Sequence, residues 1–129
     1  MKRQFRYSAF ILFLLLAFSS CTKNELDVLP KLNTLQASDA DITSTSAKLK
    51  GDVLVVGNQK ITEYGIEMSK SQLCTSPLSQ TISGSPGVGT FGVTFTGLAP
   101  NTKYYYKAYA LINTARVYSE LYQNFTTKP

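Results

Sequence analysis

The residues best suited to recognising something are tyrosines. From Lys103 to Ala110 the chain reads Lys-Tyr-Tyr-Tyr-Lys-Ala-Tyr-Ala. In an extended strand successive side chains alternate between faces, so Tyr105, Lys107 and Tyr109 share one face. Tyr104, Tyr106, Ala108 and Ala110 share the other, which is the better candidate for a core. A neighbouring strand would bring Tyr118 or Tyr122 beside the first face. Rings aligned across strands can stack on sugars or anchor a protein partner. The same pairs also stabilise a sheet by themselves, at about 0.2–1 kcal/mol each, so packing alone is the competing reading. The loop Ile112-Asn113-Thr114-Ala115-Arg116 adjoins this face, and an exposed Ile112 and Arg116 are expected as further contacts.

The other reactive chemistries lack their residues. There is no His, so no Ser–His or Cys–His pair can form. Two cysteines without His cannot supply the four ligands of a structural zinc site. Glu63 and Glu67 read as solvent-facing strand residues rather than a reactive pair. Asp39, Asp41 and Asp52 fall short of the roughly six to eight oxygens that calcium takes, and loop acids commonly form turns. Gly87-Val88-Gly89 is followed by no helix whose N-terminus could hold a phosphate, and reads as a hairpin connection. The expectation is a non-enzymatic protein with no cofactor and no metal.

The elements that must hold these tyrosines are short strands. Thr34 to Ala37 reads as a weak first strand, and Ala47 to Val53 alternates cleanly. Ile61 to Met68 puts Tyr64, Ile66 and Met68 on one face. Lys70 to Gln80 should hold a loop and a short edge strand. Gly84 to Gly89 is turn-rich, after which Phe91, Val93 and Phe95 alternate with smaller residues. The last strand falls within Val117 to Thr127 and needs a bulge, because Leu121, Tyr122 and Phe125 cannot all share a face. About seven such segments with no helical period predict an all-β, immunoglobulin-like antiparallel sandwich. Its inward candidates are Leu35, Ala47, Leu49, Val53, Tyr64, Ile66, Met68, Phe91, Val93, Phe95, Leu98, Tyr104, Tyr106, Ala108 and Phe125.

The first twenty residues have a different character. Lys2, Arg3 and Arg6 precede ten uninterrupted apolar residues, Ala9 to Phe18, a run too short to span a bilayer as a helix. Ser19-Ser20-Cys21 then resembles the lipobox of bacterial lipoproteins, with Phe18 where Leu is usual. That resemblance implies cleavage before Cys21 and acylation of Cys21, with an ordinary secretory peptide as the alternative. Residues 1–20 are thus expected as signal peptide, 21–33 as a lipidated flexible tether, and 34–129 as the domain. Thirteen Lys and Arg less the three in the leader leave ten against eight acids, so the basic pI belongs largely to the discarded segment. No basic stripe survives that would suggest nucleic acid. If Cys21 carries lipid, Cys74 has no partner in the chain and reads as a lone thiol in or beside a strand; a Cys21–Cys74 disulfide is the alternative if the lipoprotein reading fails. Thr22 replaces the aspartate of inner-membrane retention, and Lys23-Asn24-Glu25 resembles an export signal of Bacteroidetes lipoproteins, or is simply a polar tether. The address implied is the outer membrane, facing the periplasm or the cell surface.

Leu98-Ala99-Pro100-Asn101-Thr102-Lys103-Tyr104 resembles the tyrosine corner of fibronectin type III domains. The Thr45-Ser46-Ala47 strand start, Ile61 to Gly65 and the closing Phe125-Thr126-Thr127 are similar to variants of that family found in Bacteroidetes lipoproteins. The resemblance implies that the Tyr104 hydroxyl bonds to backbone just upstream and that Leu98, Pro100 and Thr102 shape the corner. The chain departs from the family in having no Trp, in placing Ser119 after Tyr118, and in lengthening the connection at Ile112. It contains no Arg-Gly-Asp. The combined expectation is a lipid-anchored module binding a protein or glycan, or alternatively a structural subunit or spacer of an outer-membrane assembly.

Overall fold

The computed structural model describes residues 25–129. The expectations for the leader and for acylation of Cys21 lie outside the described residues. The alternating stretches become eight strands: β1 (Lys31–Thr34), β2 (Ala47–Val55), β3 (Ile61–Ser69), β4 (Leu78–Ser83), β5 (Gly89–Phe95), β6 (Lys103–Ile112), β7 (Ala115–Tyr118) and β8 (Gln123–Thr126). A single 3-10 turn, Asp39–Asp41, is capped by the Ser38 hydroxyl, which accepts from the Ala40 N–H. All the strand pairs are antiparallel. One sheet has the order β1-β2-β5. The other runs β4-β3-β6, with β7 and β8 sharing the remaining edge of β6. The result is a β-sandwich.

Its interior is built by every second residue. Ala47, Leu49, Gly51 and Val53 of β2 face in, as do Tyr104, Tyr106, Ala108, Ala110 and Ile112 of β6. One cluster gathers Leu49, Ile66, Met68, Phe95, Tyr104, Tyr106 and Phe125. A second gathers Leu32, Val53, Ile61, Ala108, Ala110 and Ile112. Full burial of each large side chain contributes about 1.5–3 kcal/mol. Gly51 has a packing reason: a Cβ there would lie 2.6 Å from the Phe91 ring. That ring occupies the space and meets Tyr64 edge-on at 5.1 Å between centroids.

Several expectations change, beginning with the first strand and the tether. The first strand forms at Lys31–Thr34 rather than Thr34 to Ala37, and its inward residues are Leu32 and Thr34, with Leu35 half-buried. The ordered body therefore begins before residue 34, inside the stretch expected as tether. Asn58 explains this: its Nδ2 donates to the Leu26 carbonyl (2.8 Å), its Oδ1 accepts from the Val28 N–H (2.8 Å), and its own N–H donates to the Val28 carbonyl (3.0 Å). Glu67 is buried rather than solvent-facing, for reasons given below.

The ambiguous last strand is two strands. Between them Ser119 turns inward and is buried. The Ala108 N–H donates to Thr34 Oγ1 at 2.9 Å, and the Ser119 N–H donates to the Ala108 carbonyl at 3.0 Å. Ser119 Oγ donates to the Leu121 carbonyl at 3.0 Å, which leaves Thr34 Oγ1 to donate to Ser119 Oγ. Hydroxyls thus replace the ladder where β6 would otherwise hold unpaired groups, and they tie β1 of one sheet to β6 of the other.

Candidate binding face

The corner sits at one pole of the sandwich. Leu98 is buried in the first core cluster. The Ala99 N–H donates to the Tyr104 hydroxyl at 3.0 Å, and Thr102 Oγ1 donates to the Pro100 carbonyl at 2.9 Å. Thr127 Oγ1 donates to the Ala99 carbonyl at 2.6 Å and accepts from the Thr102 N–H at 2.9 Å. Asn101 adopts φ 50°, a left-handed conformation that Asn tolerates. These residues fix where β6 starts and hence the phase of its outer face.

On that face the register aligns Tyr118, Tyr109, Gly65 and Thr81 across β7, β6, β3 and β4. The Tyr109 hydroxyl meets Thr81 Oγ1 at 2.6 Å. Its hydroxyl therefore reaches across the intervening Gly65 of β3 to β4. The Arg116 guanidinium lies 4.3 Å from the centre of the Tyr109 ring. Tyr109 is on the outer face as its parity requires, but it is buried rather than exposed. Arg116, Tyr118 and Thr81 cover it from the neighbouring strands.

Arg116 organises the surroundings. Its Nη1 lies 3.2 Å from Glu67 Oε1 and 3.2 Å from Ser79 Oγ, and its Nη2 lies 3.8 Å from Glu63 Oε1. Glu67 is thus a buried carboxylate neutralised by a guanidinium that is itself stacked on an aromatic ring. Burial pushes the Tyr118 phenol up from its ordinary value, its hydrogen bond to Glu67 pushes the same way, and Arg116 opposes both. Burial acts to lower Arg116, but Tyr109, Glu67 and Tyr118 together outweigh it and hold the guanidinium above its ordinary value.

The remaining expected contacts divide. Lys107 is half-buried and pairs across the sheet with Glu67. Tyr105 is half-buried, with Lys103 Nζ 5.3 Å from its ring centre and Tyr122 edge-on at 5.8 Å. Gln72 Nε2 donates to the Tyr122 hydroxyl. Both Tyr118 and Tyr122 join the face, each beside a different β6 tyrosine. Ile112 does not join it. β6 continues to Ile112, so the inward parity carries that side chain into the core opposite Ile61. An exposed loop contact is therefore replaced by a core residue.

A groove of about 280 Å³ lies beside this cluster, lined by Glu67, Gln72, Leu73, Cys74, Lys107 and Tyr118. Sequence reasoning missed Glu67, Gln72, Leu73 and the free thiol of Cys74 as parts of one surface. The opposite charges of Glu67 and Lys107 were a signal, but using it required the β3–β6 register. A larger cleft of about 510 Å³ lies on the other side of the loop, against Leu98 and Tyr104. There the buried Ser69 Oγ is already engaged: it donates to the Thr75 carbonyl and accepts from the Ser71 N–H. The groove offers what that cleft lacks, an exposed ring beside charges of both signs. Among the described residues no group of three His, Cys, Asp or Glu is placed to hold a metal, and no helix is long and apolar enough to cross a membrane.

No family model matches the chain, and no curated protein matches it in sequence. Solved structures do. A short form of the sensor domain of the anti-sigma factor RsgI4 from Pseudobacteroides cellulosolvens superposes with a TM-score of 0.61 at 21% identity, covering 77% of this chain and 94% of that one. A longer form gives 0.58 at 22% identity, covering 78% and 90%. The solution structure of the same domain gives 0.59 at 19% identity, covering 78% and 76%. The likeness is one of fold.

Proposed function

We propose that this chain is a non-enzymatic, lipid-anchored envelope protein whose one fibronectin type III-like domain binds a glycan or protein partner at the Tyr118 groove. The observation that carries the reading is the groove itself. The Tyr118 ring is 42% exposed beside Lys107, Gln72 and the Glu67–Arg116 pair. An open ring flanked by fixed donors and acceptors suits a hydroxyl-rich ligand, which stacks on the ring and exchanges hydrogen bonds at its edge. The order β1-β2-β5 against β4-β3-β6 and the Ala99–Tyr104 bond support the fibronectin type III-like assignment. The neighbouring structures are described as sensor domains, which fits a recognition role better than a catalytic one. The apolar run ending at Ser19-Ser20-Cys21 supports the anchor.

A second reading has its own support. Among the described residues β4 pairs only with β3, so its other edge is open, and its side chains are exposed along almost their whole length. Such an edge can accept a partner strand, as a subunit of a larger envelope assembly would need.

Glycan-array and envelope pull-down assays on the acylated chain test both. Groove binding predicts a loss of at least tenfold on Tyr118→Ala or Lys107→Ala. Binding unchanged by either substitution removes the groove. Binding abolished instead by Thr81→Pro favours the edge. Protease shaving of intact cells, with the mass of the N-terminal peptide, reports acylation and surface exposure together.

A further inference from the structure

The end of the sandwich where the chain enters carries an unusual amount of exposed apolar surface. Leu26 is 85% exposed, Leu29 56%, Val28 47%, Leu54 45% and Val55 41%. Single exposed apolar residues are ordinary, but these are neighbours. Asn58 binds the backbone of both Leu26 and Val28, and Val55 pairs with Lys31 just beyond Leu29. Leu29 also lies against the β2–β3 turn: a Cβ on Gly57 would meet its carbonyl carbon at 3.0 Å. The five residues thus lie around one rim at the pole opposite the tyrosine corner.

We infer that this rim rests on the surface of the lipid bilayer. The inference rests on the proposed acylation of Cys21. Leu26 is only five positions beyond Cys21, and even fully extended those five steps span at most about 18 Å. Leu26 is itself tied to the folded body through Asn58. The body is longer than that leash, since ten-residue β6 alone rises about 33 Å. Lipid in the bilayer therefore holds this pole close to the headgroups, and docking of the rim is what turns the corner pole away from them. Leu26, Leu29 and Leu54 then enter the boundary between headgroups and acyl chains. Exposed Lys31 and Lys60 flank the rim and suit anionic headgroups, while exposed Asp27, bonded to Gln59, sits among them and limits the attraction. The rim needs little affinity of its own, because the leash supplies a high effective concentration of membrane.

Fluorophores placed on the mature, acylated chain in phosphatidylcholine–phosphatidylglycerol vesicles test this. In a Cys74→Ser background, one label is attached through Leu54→Cys and another, in a separate sample, through Lys128→Cys at the far pole. Nitroxide-bearing lipids should quench the label at position 54 at least threefold more than that at 128. Adding Leu26→Glu and Leu29→Glu should reverse most of that difference while the protein still floats with the vesicles. Equal quenching at both poles, with acyl mass present on Cys21, overturns the docking and leaves the anchor standing. An N-terminal peptide without acyl mass overturns both. Quenching at 54 that survives the two glutamates overturns the role of the rim.

Discussion

Burial acts differently on the four tyrosines of β6. Tyr106 is fully buried in the core: its hydroxyl donates to the Leu35 carbonyl at 2.7 Å, and burial pushes its phenol up to about 12, partly offset by a backbone bond at Ala37. The unfolded chain releases that proton near the ordinary value of about 10. Between the two values the unfolded state holds fewer protons than the folded one, so stability falls as pH rises. The contribution is complete below pH 10 and lost by about 12. Tyr106→Phe should cost about 1 kcal/mol at neutral pH and flatten the pH dependence of denaturant midpoints in that window relative to wild type. A parallel fall in both proteins would refute the assignment. Tyr104→Phe removes the acceptor for the Ala99 N–H, and should cost about 1–2 kcal/mol in the same titration. The ion pair on the outer face behaves differently. Arg116→Met keeps apolar contact with Tyr109 but strands the Glu67 carboxylate, a loss of roughly 3 kcal/mol. Glu67→Leu added to Arg116→Met should restore most of that loss, because no buried charge is then left alone. A double variant as weak as the single one would mean that Glu67 is not the stranded group.

The strands whose pattern is set by their own residues were legible, and those set by a distant partner were not. β2, β5 and β6 declare themselves because one face is more buried than the other and forces a period of two, whereas β3 is covered on both faces from Gly65 to Ser69 and was legible from its alternating Tyr64, Ile66 and Met68. The split between β7 and β8 depends on Thr34, which is 85 residues from Ser119 and supplies a hydroxyl from the other sheet. No local pattern contains that information. Thr34→Val should leave the Ala108 N–H unserved and cost about 1–3 kcal/mol, with early loss of amide protection at Ala108 and Ser119 in hydrogen exchange. Protection unchanged at both would show that the ladder re-forms without the hydroxyl. The β3–β4 contact carries a sharper constraint. A Cβ on Gly65 would lie 2.0 Å from the Gln80 carbonyl oxygen, whereas one on Gly92 would meet nothing closer than 3.6 Å. Gly65→Ala must displace the β4 backbone, so it should lower the melting temperature far more than Gly92→Ala. Equal melting temperatures would show that β4 moves aside without cost.

For the molecule as a whole, the sequence conveyed the architecture better than the surface. Parity placed Tyr105, Lys107 and Tyr109 outward, yet exposure depends on what neighbouring strands lay across them, and Arg116 and Tyr118 cover Tyr109. The groove needed a β-sheet register to bring Glu67 beside Lys107 and a loop to bring Gln72 beside Tyr122. Stability, by contrast, follows from the interior. Two apolar clusters span the sheets, and hydroxyls tie the sheets together at Thr34 and Ser119. Cys74 is a free thiol at the groove and crosslinks nothing within the described body. A disulfide typically adds about 2–4 kcal/mol, and each kcal/mol shifts the melting temperature of a domain this size by roughly 4–8 °C. A body held together by packing, with Cys21 occupied by lipid, should melt within about 1 °C of the same temperature with and without reductant. A fall of roughly 10 °C or more on reduction would mean that Cys21 is bonded to Cys74, and the proposed anchor would have to be abandoned.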